Sequence, residues 1–125
     1  MLSFCLYTNR QGVALDGDLP ESDWKTVRKL HDLALELFCQ RVLADIERIH
    51  SATAKKAHTR YLEIFKVIEE QDKEIEWIFN DLNRSNAMEH LCAMRTRELL
   101  AETEFALLSQ ETQDQVKAFL EDPLP

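Results

Sequence analysis

Two glycines and three prolines are all that punctuate 125 residues, and this scarcity of chain-reversing residues is the tightest constraint on what the chain can become. A sheet protein needs turn formers at short intervals, whereas a few long helices need almost none. A composition of 45% hydrophobic and 30% charged residues suits a packed chain rather than a disordered one. The length fits one domain with its own core. The fold class predicted is all-α, a bundle of three to four long helices.

Apolar spacing places those helices. Val27, Leu30, Ala34, Leu37, Phe38, Val42, Ile46 and Ile49 recur at steps of three and four, which predicts a helix over 22–49 with Asp18 or Ser22 as N-cap and Pro20 at the entry. His50 to Ala54 is the expected connector to a second helix over 55–83. Its stripe is the most regular in the chain: Tyr61, Phe65, Ile68, Asp72, Ile75, Phe79 and Leu82 alternate steps of four and three. A sustained heptad packs at a shallow angle against another long rod. Such a helix is about 43 Å long at 1.5 Å per residue. A compact chain of this size has a radius of gyration of only about 14 Å, so the seam is read as shared by two copies in an intertwined homodimer. A third helix is expected over 85–100 with Ser85 as cap, a short one over 103–108 behind Thr103, and a last one over 110–121 behind Ser109, stopped by Asp122-Pro123. Residues 1–18, where Leu2, Phe4 and Leu6 alternate with Ser3, Cys5 and Tyr7 ahead of Gly12, read as an extended or hairpin arm.

Charge and cysteine usage exclude several functions. A net charge of -8 repels phosphate backbones and anionic membrane surfaces, so neither nucleic acid nor membrane is an expected partner. Cys5, Cys39 and Cys92 are far apart and without CxxC spacing, which signals neither a disulfide framework nor a zinc knuckle and fits the cytoplasm. Gly12 and Gly17 lack any phosphate-loop context, and no cofactor is expected. Glu47 and His50 share the Glu-x-x-His spacing of di-iron bundles, but that chemistry requires two such pairs and further inward glutamates. This pair carries the alternative reading, a metal-dependent, ferritin-like bundle enzyme. A third reading, an acidic inhibitor that mimics nucleic acid, rests on the overall charge.

Asp72 is the most informative polar residue. It occupies a heptad position between Ile68 and Ile75, and a carboxylate buried there needs a cation or donor, for which Arg60, Arg84 and Arg95 are candidates. Trp77 lies off the stripe on a charged helix and is a candidate interface anchor. With Tyr61, Arg84, Arg60 and His90 these two make up the candidate partner-binding set; no catalytic residue is expected.

From Asp72-Lys73-Glu74-Ile75-Glu76 onward, through Phe79-Asn80-Asp81-Leu82-Asn83-Arg84-Ser85, Leu99-Leu100 and Glu104-Phe105-Ala106-Leu107-Leu108-Ser109, the chain resembles the fluorescence recovery protein family; Gln40-Arg41 is similar to that family's first helix. The resemblance covers about two thirds of the chain. It implies a small all-α dimer that acts by binding another protein, as that family binds the orange carotenoid protein. The family's partner-contacting stretch carries a tryptophan, an aspartate and an arginine. Here the corresponding Tyr61-Leu62-Glu63-Ile64-Phe65-Lys66-Val67 has no tryptophan, which implies a different partner. The function expected is a non-enzymatic regulatory protein-binding module.

Overall fold

The first long helix starts where Pro20 supplies a carbonyl, 2.9 Å from the Trp24 amide, and ends on Arg48 and His50, basic residues that suit a helix C-terminus. The computed structural model describes residues 19–121, and over these the protein is all-α. Helix α1 spans Glu21–His50, α2 Ala57–Phe79, α3 Ala87–Thr96, α4 Glu102–Phe105 and α5 Gln110–Glu121; a 3₁₀ turn, Arg84–Asn86, leads into α3. Among the described residues there is no strand, and no helix is long and apolar enough to cross a membrane. The arm expected over 1–18, with Cys5, and the stop at Asp122-Pro123 lie outside the described residues.

The chain divides into two units, and α1 contributes to both. The head comprises residues 19–34 and 81–121 of the described chain; the hairpin is Leu35–Asn80.

In the head, α3 is the central element. Ala87 to Met94 are all buried, so this helix is covered all round, and it packs on α5. Val27, Leu30 and Ala34 from α1, Phe105 from α4, and Val116 and Phe119 from α5 complete the core. Arg95 fastens the short α4: its guanidinium lies 4.4 Å from the centre of the Phe105 ring, pairs with Glu102 and donates to the Leu100 carbonyl.

The structure corrects four local expectations. The short helix expected over 103–108 behind Thr103 is Glu102–Phe105, with Ala101 at its N-cap and Thr103 inside it. Helix α2 ends at Phe79, because Asn80 turns extended and Asp81 takes a left-handed φ of 61°, so Leu82 lies outside the helix. Ser85 does not cap the third helix. The residue at its N-cap is Asn86, and the side-chain cap belongs to the preceding 3₁₀ turn: the Asn83 side chain accepts from the Ser85 and Asn86 amides, and the Asn86 side chain accepts from the Asn83 amide, a reciprocal box. Helix α3 stops at Thr96 rather than running to 100. There Leu99 N–H donates to the Met94 carbonyl and Glu98 N–H to the Arg95 carbonyl, the paired bonds of a Schellman ending. Glu98 holds the left-handed position at φ 57°, where glycine is the usual occupant. Asp81, which follows α2 at a left-handed φ of 61°, is the position to test: Asp81→Gly should stabilise the chain by about 0.5–1 kcal/mol, measurable as a higher urea midpoint at unchanged slope, and a lower midpoint would mean that the aspartate contributes a contact beyond its backbone geometry.

The hairpin pairs the second half of α1 with α2. Its connector, residues 51–56, turns without glycine or proline because Arg60 reaches back to donate to the His50 and Lys55 carbonyls at 2.9 and 3.2 Å. Lys55 pairs with Glu63 at 3.0 Å. Phe38 and Phe79 meet edge to face, 5.9 Å between centroids, and with Ile78 they are the buried residues of this unit. Among residues 39–77 none is fully buried.

Candidate functional site

A half-buried hairpin built from apolar stripes leaves one face open. Cys39, Val42, Leu43 and Ile46 of α1 and Ile68, Gln71, Asp72 and Ile75 of α2 line a groove of about 350 Å³. Five large apolar residues of the hairpin are half or more exposed: Leu43 62%, Tyr61 64%, Leu62 50%, Phe65 55% and Ile68 50%. Tyr61, Phe65 and Ile68 continue the groove's stripe along α2 by helical spacing. The exposed area of this cluster is on the order of 500 Å², the upper part of the range for the largest patch on an ordinary monomer.

Asp72 is exposed at the edge of this face rather than buried, and none of its three expected partners reaches it. Arg60 is engaged by the connector. Arg84 donates from Nε and Nη2 to the Leu19 carbonyl at 2.9 and 2.7 Å and from Nη1 to Glu21, which ties the start of α1 to the 3₁₀ turn. Arg95 belongs to the α4 clamp. Tyr61 stacks on His58, 6.4 Å between ring centroids. Trp77 is half-buried. His90 is buried in the head with its ring 6.3 Å from that of His31. The six candidate residues therefore fall into two groups: Arg60, Tyr61, Asp72 and Trp77 in the hairpin, Arg84 and His90 in the head. Tyr61 and Asp72 share the open face, whereas Arg60 and Arg84 hold backbone carbonyls.

Sequence reasoning passed over Asp23. This carboxylate is 2% exposed and accepts three hydrogen bonds: Ser109 N–H to Oδ1 at 2.8 Å, and the Ser109 and Thr112 hydroxyls to Oδ2 at 2.6 Å each. Burial alone would raise its pKa; the hydrogen bonds from Ser109 Oγ, Thr112 Oγ1 and Ser109 N outweigh it and hold the carboxyl below its ordinary value. Ser109 in turn caps α5, accepting from the Thr112 amide. The signal was present: stepping back four residues from Val27 along the α1 stripe lands on Asp23.

Glu47 accepts from Ser51 Oγ at 3.0 Å, and among the described residues no group of three or more His, Cys, Asp and Glu side chains is placed to hold a metal ion. Cys92 is buried on α3, and burial together with the neighbouring Glu89 pushes its thiol up to about 12, far from thiolate formation at neutral pH.

Comparison with protein-family models, with curated proteins and with solved structures returns no match.

Proposed function

We propose that the chain is a non-enzymatic regulatory module that works in the cytoplasm by docking protein onto the open face of its hairpin. It acts as a homodimer built on α2 and meets a further protein, other than the orange carotenoid protein, with the surface that remains. The open apolar face carries this reading. A two-helix hairpin in which no residue from 39 to 77 is fully buried has not recovered all the free energy its apolar stripes can release, and covering that face with protein recovers more of it. The resemblance carried by Asp72 to Glu76 and Phe79 to Ser85 points the same way.

Leu43 is the residue for a test, since it stands 62% exposed beside the groove and its replacement leaves the head core untouched. Leu43→Glu should weaken both self-association, followed by sedimentation, and capture of lysate protein on the immobilised chain by about tenfold or more, with unchanged helicity in far-UV circular dichroism. Wild-type behaviour on both counts would remove the face from the account.

A further inference from the structure

Helix α2 is charged against its own dipole. Lys55, Lys56 and Arg60 stand at its N-terminal end, and Glu69, Glu70, Asp72, Glu74 and Glu76, with Lys73 among them, stand toward its C-terminal end. Its first turn holds no acid and its last turn no base. The dipole favours the opposite arrangement, which α1 adopts with Glu21 and Asp23 in its first turn and Arg48 and His50 in its last. An order of charge that α2 does not use for itself complements a second α2 running the other way. Antiparallel copies set each basic end beside an acidic end; parallel copies set like beside like.

The open seam then selects a register. At heptad spacing its core positions are His58, Tyr61, Phe65, Ile68, Asp72 and Ile75. A two-fold axis between Phe65 and Ile68 stacks Phe65 on Ile68, Tyr61 on Asp72 and His58 on Ile75, each twice, leaving no core position unmatched. It also answers the oddity of Asp72. Within its own chain no described side chain bonds this carboxylate, and the Tyr61 phenol is 64% exposed with its ring stacked on His58.

We propose that two copies pair their α2 helices antiparallel about an axis between Phe65 and Ile68, with Tyr61 of each copy donating its hydroxyl hydrogen to Asp72 of the other. This rests on the homodimer reading above and adds its direction, its register and the polar contact that fixes them. The area is sufficient. On α2 itself Tyr61, Leu62, Phe65 and Ile68 expose on the order of 400 Å² per copy, so two copies bring together about 800 Å² of apolar surface, or about 1,300 Å² in all for an interface that is roughly 60% apolar, within the lower part of the range for stable complexes.

Two charge reversals test it, Lys56→Glu in one variant and Glu76→Lys in another, positions that leave the Lys55–Glu63 pair intact. Each places the new charge where the helix dipole favours it, so neither weakens α2 itself. Sedimentation equilibrium should show each variant alone self-associating about tenfold more weakly than wild type, and an equimolar mixture restored to within about threefold as a heterodimer. Tyr61→Phe should also weaken association about tenfold, because it strands the facing carboxylate, and Tyr61→Phe with Asp72→Leu should restore it. A wild-type chain that stays monomeric at tens of micromolar overturns the homodimer reading together with this proposal. A wild-type dimer indifferent to both charge reversals and to Tyr61→Phe leaves the homodimer standing and overturns the antiparallel register.

Discussion

Phe105→Ala is expected to destabilise the protein by about 4 kcal/mol, with full occupancy of the native state lost in moderate urea. Phe105 is 1% exposed in the head core and is the buried residue of α4, a helix of four residues that propensity alone cannot sustain. Truncation removes the ring's transfer free energy, leaves a cavity beside α3, and takes away the surface on which the Arg95 guanidinium rests. Arg95 would keep its bonds to Leu100 and Glu102 but lose the ring beneath it. Urea unfolding followed by circular dichroism gives the loss directly. A change below about 1.5 kcal/mol would mean that the head closes over the gap and that α4 is not held by its phenylalanine.

Asp23→Ala should cost about 3 kcal/mol at neutral pH, since it withdraws the acceptor from one amide and two hydroxyls, bonds to a charged group that are individually worth about 1.5–3 kcal/mol. The same hydrogen bonds give the wild type a pH dependence. The folded carboxyl is held below its ordinary value of 3.8, so the unfolded chain binds more protons in acid and stability rises with pH. The contribution is therefore complete above the unfolded value and is lost as pH falls through the lower folded value. Stability measured in urea from pH 6 downward should fall below about pH 4 in the wild type, and that acid limb should be shallower in Asp23→Ala. Parallel acid limbs in the two proteins would remove Asp23 from the linkage.

The two aspartates explain much of what was legible. Both occupy apolar stripes, and sequence marks each as a polar intrusion, but whether the intrusion is answered depends on partners far along the chain. Asp23 meets Ser109 and Thr112 in the folded head, which no local spacing announces. Among the described residues Asp72 meets no partner, and the arginines expected for it lie elsewhere: Arg60, Arg84 and Arg95 each donate to backbone carbonyls. Long helices were readable because apolar period and missing turn residues both report on them. Their ends were less so, because Asp81 and Glu98 adopt left-handed backbone without being glycine and the side-chain cap sits on Asn83, at the 3₁₀ turn before α3, instead of on Ser85. Leu43 escaped the stripe on α1 and is known as part of the open face from its exposure and its place in the groove.

The head is also discontinuous along the chain, with residues 19–34 and 81–121 separated by the whole of Leu35–Asn80. Its first contacts therefore close a long loop, which is entropically slow, whereas the hairpin closes through its own short connector. Once formed, the hairpin brings Phe38 and Phe79 to 5.9 Å and so draws together the two stretches from which the head is assembled. That arrangement predicts an order of events in folding in which the hairpin, the more exposed part of the protein, assembles ahead of the head.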